Sequence, residues 1–395
     1  MPTSLLIPKP HRGCHGHRYM QLHRYPRSRC SVISPAKTPL RTALFFPGHG
    51  VQRMGMANPW LEMFPTISNK VMSEVDSTLG FPLSRFISQG PNSELNKTEN
   101  SQPAIMATSL LILRILEHEF GFNTDTLVDV TLGHSLGEFT ALVAGGYLDF
   151  GDALRLVRRR AEIMSQCTRK AFETTGDEYG MVALVCEPDH FLELLEAIHE
   201  FLGLAKPALK DDTDHGASAF QDVMIANINS NNQIVLSGSI AKIRTLIVQL
   251  RQFGGHDPRA VKLKCESPFH NPIMAPAADY MRYALENINI RFPTHMQFVS
   301  NVSGLPTSSI AELKALLSRQ CVETVRWWDS IRYLDQDHGV TRWIGIGPGK
   351  VGRNLVGKEV GKIMVKGGGV WSICDPRELE DILSNLEKSG TDPEY

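Results

Sequence analysis

Leu127-Val128-Asp129-Val130-Thr131-Leu132 runs without a break into Gly133-His134-Ser135-Leu136-Gly137-Glu138, and this stretch decides the fold. The first six residues predict a β-strand, and residues 138–148 resume with the apolar pattern of a helix. Strand, G-x-S-x-G, helix is the order that sets a serine on a sharp turn at the carboxyl end of a sheet strand. Gly133 and Gly137 leave room for such a turn, and the helix start aims free backbone N–H groups at the serine. A lone G-x-S-x-G arises by chance and a serine at a helix start is often a plain cap. The flanking strand and helix favour a nucleophile here.

Working outward, residues 43–46 (Ala-Leu-Phe-Phe) read as a buried strand entering the tight turn Pro47-Gly48-His49-Gly50, and residues 102–118 as a helix. The expected fold is α/β: a hydrolase-like core with a parallel sheet and a nucleophile elbow. Between residues 179 and 265 the pattern changes. Strands at 179–186, 223–228, 233–237 and 259–265, with helices at 190–201 and after Ser239, give a βαββαβ order. That order is ferredoxin-like and predicts a small inserted domain, 179–265, within a large domain of 42–178 and 266–375. Residues 376–395 read as a polar C-terminal tail.

A serine hydroxyl needs a base within hydrogen-bond reach. His190 and His199 fall on a helix of the small domain, and His215, His256 and His338 in polar loops. His270 stands apart in Ser267-Pro268-Phe269-His270-Asn271-Pro272, although a histidine in such a turn is commonly only a surface or capping residue. Arg160 closes the run Arg158-Arg159-Arg160. Three arginines in a row usually face solvent, but position 160 lies seven residues from Ala153 and so shares its helix face. Residues 347–350 (Gly-Pro-Gly-Lys) lack P-loop spacing and read as a strand-to-helix turn.

The chain has 395 residues, 42% hydrophobic and 21% charged, an ordinary globular composition. No apolar run is long enough to span a bilayer, so membrane insertion is not expected. Seven cysteines without C-x-x-C or Cys/His ligand spacing give no disulfide scaffold and no zinc site, and suit a reducing compartment. The net charge of −1 hides an asymmetry. Residues 1–41 carry eight basic side chains and no acid, leaving 33 basic against 42 acidic, about −9, for the remainder. An acid-free, Arg- and Ser-containing amino terminus predicts a mitochondrial presequence over 1–41, hence a matrix location, rather than a nucleic-acid-binding tail.

Several segments occur together and in order: Pro47-Gly48-His49-Gly50-Val51-Gln52-Arg53-Met54-Gly55-Met56, Ser101-Gln102-Pro103-Ala104, the elbow, Arg160, Asn227-Ile228-Asn229, Ser267-Pro268-Phe269-His270 and Gly347-Pro348-Gly349-Lys350. This set resembles the malonyl-CoA:acyl carrier protein transacylase family, which includes the acyltransferase domains of polyketide and fatty acid synthases. The resemblance runs from about residue 42 to 375. It implies Ser135 as nucleophile and His270 as general base, oriented by the backbone carbonyl of Gln320. The backbone N–H groups of Leu136 and His49 would form the oxyanion hole. Arg160 would hold the malonyl carboxylate, and Gln102 and Asn229 would line the acyl pocket. Phe269 would crowd an α-methyl branch, and Arg259 is a weaker contact for CoA or carrier.

The implied partners are malonyl-CoA as substrate and an acidic acyl carrier protein, with no metal or redox cofactor and a monomeric chain. Two departures from the family pattern stand out: His49 replaces a usual glutamine, and Ala161 a usual glycine. Two other readings compete. A serine hydrolase or thioesterase would bring an acid partner and a histidine near the chain end, where only His338 is available. A non-catalytic carrier-binding scaffold would not need Ser135, His270 and Arg160 all intact.

Overall fold

The computed structural model describes residues 41–203, 222–360 and 369–391. The expected presequence, apart from Arg41, and most of the polar loop at 203–221 therefore lie outside the described residues.

Among the described residues there are nine strands: β1 (Arg41–Phe46), β2 (Val130–Gly133), β3 (Tyr179–Val185), β4 (Met224–Ser230), β5 (Gln233–Ser239), β6 (Arg259–Lys262), β7 (Gln297–Val299), β8 (Val340–Ile346) and β9 (Gly369–Ile373). Five form one sheet in the order β7-β2-β1-β8-β9, every pair parallel. Parallel strands need crossovers and are covered on both faces, which explains the near-continuous apolar runs such as residues 43–46. Their carboxyl ends align, so the segments following β1, β2, β7 and β8 all emerge at one edge. In open α/β sheets that edge is where ligands bind.

The strand expected at 127–132 is shifted. Asn123 caps a short helix, Thr124–Leu127, its side chain accepting from the Asp125 N–H, so β2 starts only at Val130. The helix after the elbow, Gly137–Ala144, ends earlier than expected because Gly145-Gly146 stop it, Gly146 with φ of 74°.

The other four strands form an antiparallel sheet in the order β4-β5-β3-β6, with helices Phe191–Phe201 and Ile240–Gln252 filling the βαββαβ connections. Ser239 caps the second helix, accepting from the Lys242 N–H. Alternation along β3 explains how this sheet is seated. Val182 and Leu184 join the apolar cluster under the two helices, while Met181 and Ala183 join the main core. Strands β3, β4 and β5 are thus largely buried while edge strand β6 is exposed, and the described residues belong to one compact unit.

One expectation fails. Residues 379–391 are a helix, not a tail. Leu379 is buried, and Ile382, Leu383 and Leu386 pack on the main core from one side. The i, i+3, i+4, i+7 apolar spacing was present in the chain but is masked by the surrounding charges.

Candidate active site

The elbow is held by steric necessity. A Cβ on Gly133 would lie 1.9 Å from the Gly137 carbonyl carbon, and one on Gly137 would lie 2.7 Å from the Phe46 oxygen. The close approach of β2, β1 and the following helix excludes any side chain at either place. Gly133→Ala should cost at least about 3 kcal/mol, the upper end of overpacking effects. A urea melt shows this directly; an unchanged midpoint would contradict the packing. Between these glycines Ser135 adopts φ of 52°, a left-handed conformation uncommon for a residue with a Cβ.

Ser135 Oγ and His270 Nε2 lie 2.8 Å apart. His270 Nδ1 is 2.8 Å from the Gln320 backbone oxygen, which can only accept, so Nδ1 carries the proton and Nε2 is free to accept from the serine. Burial, with Arg160 nearby, lowers His270 to about 3. The imidazole is neutral throughout the neutral range, as a general base must be. His270 itself has φ of 57°, so both members of the pair sit on left-handed turns.

Arg160 is 1% exposed, on the same face of the Phe150–Thr175 helix as Ala153, Val157 and Met164. Arg159 is exposed and pairs with Glu162, while the half-buried Arg158 pairs with Glu162 and also donates to the Glu99 carbonyl and Asn100 Oδ1. The Arg160 guanidinium donates to Gln102 Oε1 at 2.7 Å and to Gln320 Oε1 at 2.6 Å, both neutral, and its Nε has no partner. Neutral amides hold this buried cation with one N–H unpaired, and the Glu138 carboxyl is joined to it only through Gln320, so no anion is in direct contact to replace its lost hydration. Gln320 is the link: its Nε2 donates to the Ser135 carbonyl at 2.8 Å, so one amide separates the cation from the nucleophile.

The loop after β1 closes the other side. A Cβ on Gly48 would meet the His134 carbonyl oxygen at 2.7 Å, so the backbone at His49 runs directly against the elbow. Among the described residues, neither the His49 nor the Leu136 backbone N–H donates to a protein acceptor. The His49 ring sits 5.3 Å from that of Phe269, with Nε2 2.9 Å from Ser101 Oγ. Burial lowers His49 to about 4, so it is neutral and adds no second charge beside Ser135.

Sequence reasoning placed Ser135, His270, Gln320, Arg160, Gln102, Leu136, His49 and Phe269, and the fold gathers all eight. Asn229 is engaged differently: its Oδ1 lies 2.9 Å from His134 Nε2 and its Nδ2 donates to Gln233, so its amide braces the elbow histidine. Arg259 is exposed at the end of edge strand β6, with no contact to this cluster. Two residues were missed, Glu138 and Asn301, and for Gln320 only the backbone carbonyl was foreseen, not the side chain. Glu138 directly follows the motif and reads as an ordinary helix-start acid; Asn301, in a loop 166 residues from Ser135, carries no local signal. Among the described residues no cluster suited to a metal ion is found, and no helix is long and apolar enough to cross a membrane.

Comparison with known proteins agrees with this geometry. The family model "Acyl transferase domain" matches residues 44–186. The malonyl CoA-acyl carrier protein transacylase of Bacillus subtilis (strain 168) is 34% identical over 350 residues, 89% of this chain and 98% of that protein. The crystal structure of acyl-carrier-protein-S-malonyltransferase from Bartonella henselae superposes with a TM-score of 0.71 at 31% identity, over 88% of this chain and all of the other. A malonyl-transacylase solved in complex with its type II PKS acyl-carrier protein matches with a TM-score of 0.71 at 28% identity, covering 87% and 99%. Similarity at this level, over nearly the whole length of both partners, means that the chain belongs to the malonyl-CoA:acyl carrier protein transacylase family.

Proposed function

We propose that this acyltransferase moves the malonyl group of malonyl-CoA to the phosphopantetheine thiol of an acyl carrier protein, for fatty acid synthesis. The single observation that carries the reading is the buried, under-compensated Arg160 one amide away from the Ser135–His270 pair. Ser135 Oγ attacks the thioester carbonyl as His270 Nε2 takes its proton. The backbone N–H groups of His49 and Leu136 meet the oxyanion, and the proton passes to the departing CoA sulfur. In the second half the carrier thiol gives its proton to His270 and attacks the acyl-serine, and His270 returns the proton to Ser135. Arg160 meets the malonyl carboxylate with a planar fork. Phe269 and His49 wall the pocket against an α-methyl branch.

Intact-mass analysis tests the reading. Malonyl-CoA should add one malonyl group to the protein, and a holo-carrier should then remove it and gain it. Release as free malonate at the same rate with or without carrier would favour a hydrolase. A protein that binds carrier but never acylates would be a scaffold.

The carrier, being acidic, must meet a body that is itself acidic. Lys262 and Lys350 are paired with Glu178 and Glu378, whereas Arg259, named above as a contact for CoA or carrier, and Lys264 are in no ion pair among the described residues. Reversing both charges should lower kcat/KM for carrier on the order of tenfold, leave malonyl-CoA acylation unchanged, and flatten the salt dependence. Equal carrier kinetics would remove these two residues from the docking surface.

Finer features of the chain extend this reading. The basic amino terminus supports a presequence and a mitochondrial matrix location. Arg41, the last residue of the expected 1–41 segment, is already part of β1 and donates to the His338 carbonyl. Cell fractionation of the full chain, and of a chain starting at residue 41, checks it; equal mitochondrial recovery of both would refute it. The βαββαβ unit is read as ferredoxin-like, and the chain as a monomer without metal or redox cofactor.

A further inference from the structure

A left-handed residue between a strand and a helix has its backbone groups outside both ladders, and buried backbone groups need partners. At Ser135 two side chains supply them, and the carbonyl also accepts from the Glu138 backbone N–H at 3.0 Å. Asn301 Oδ1 accepts from the Ser135 N–H at 2.6 Å, and Gln320 Nε2 donates to the Ser135 carbonyl at 2.8 Å. Both residues are held in turn by one carboxyl group, Asn301 by its backbone N–H and Gln320 by its side-chain amide. Glu138 Oε1 accepts from the Asn301 N–H at 2.6 Å, and Glu138 Oε2 accepts from Gln320 Nε2. Glu138 is completely buried, and no step of the reaction above uses it. The same two neighbours reach further. Asn301 Nδ2 donates to the Gly133 carbonyl at 2.7 Å, and Gln320 holds Arg160 by its side chain and His270 by its backbone.

We propose that Glu138 is a positioning residue that fixes the Ser135 turn through Asn301 and Gln320, locking nucleophile, base and acyl-carboxylate receptor into one unit. The proposal rests on the acyl-serine reading of the site. A carboxylate suits the position because both its oxygens accept, and two N–H donors converge on it. An amide of the same shape would turn one NH₂ against a donor. Protonation has a similar effect, converting one oxygen to a donor.

Burial pushes Glu138 up to about 7, against the opposing pull of its hydrogen bonds and of Arg160. The titratable and charged groups facing it are Arg160 on the Phe150–Thr175 helix and the Cys321 thiol beyond Gln320; Ser300, Asn301 and Gln320 are neutral. The competent, ionised form is therefore lost as pH falls through about 7, while His270, near 3, remains an unprotonated base over that interval. The acid limb of acylation belongs to Glu138.

The test measures acylation of the full chain by malonyl-CoA and acetyl-CoA, quenched and read by intact mass, in wild type and Glu138→Gln. The variant should acylate about 10- to 100-fold more slowly at saturating thioester, the penalty of a slightly misplaced nucleophile. KM should stay within about threefold, and both thioesters should lose rate by the same factor. The wild-type rate should fall below pH 7, and that limb should vanish in the variant. A variant as fast as wild type, a loss confined to malonyl, or an acid limb retained in the variant would each overturn the proposal. Should Glu138→Gln fail to fold, the wild-type profile decides: a rate flat from pH 8 to 5 refutes it, and a limb near 7 supports it. A wild-type protein that takes no acyl group overturns the reading beneath, and the proposal with it.

Discussion

Ser135→Ala should fold normally and form no covalent adduct with malonyl-CoA. Among the described residues the serine Oγ hydrogen-bonds to His270, and removing so small a group costs little packing. Alanine at φ of 52° bears the same backbone strain as serine, which leaves stability nearly unchanged. His270→Ala should retain a slow adduct. Removing a general base typically costs about 10²- to 10⁴-fold, because the hydroxyl must then lose its proton to water. Intact mass gives both results, with thermal melting as the check on folding. Labelling that persists at another residue in Ser135→Ala would sink the assignment.

Arg160→Ala should change which acyl group is accepted. The guanidinium is buried among neutral amides with its Nε unpartnered, so it gains most from an incoming carboxylate and nothing from an acetyl methyl. Malonyl transfer should lose on the order of 2–5 kcal/mol of transition-state free energy, as when one partner of a buried charge pair is truncated. Acetyl transfer should change much less. The substitution also frees Gln320, which braces Ser135, so a small loss common to both thioesters is expected through that path. The ratio of kcat/KM for the two thioesters isolates the carboxylate contribution. Equal factors for both would make Arg160 a structural residue, leaving malonyl preference to Phe269 and family membership.

The elbow, the cap at Ser239 and the inward face of Arg160 were all legible in the chain, because each depends on residues within two helical turns. A serine between two glycines needs the turn that β2 and its helix impose, and seven-residue spacing sets a side chain on a helix face whatever surrounds it. The same local logic misjudged residues 127–132 and 379–391. In the first, one asparagine cap outweighed strand propensity. In the second, an apolar stripe was too diluted by charge to read without the surface it covers.

What the chain determines alone is therefore the nucleophile and the elements that carry it. Its partners are decided by tertiary structure. His270 is 135 residues from Ser135, and neither its distance to the serine nor the role of the Gln320 carbonyl follows from spacing. Glu138 has the reverse history: adjacent in sequence to the motif, it passes for an ordinary helix-start acid until Asn301 and Gln320, brought in from the end of β7 and from the turn after the Ile310–Arg319 helix, converge on it. Local propensity acts through backbone sterics over a few residues. The alignment of parallel strand ends brings together side chains whose separation along the chain is arbitrary, and only there does a buried carboxylate acquire its donors.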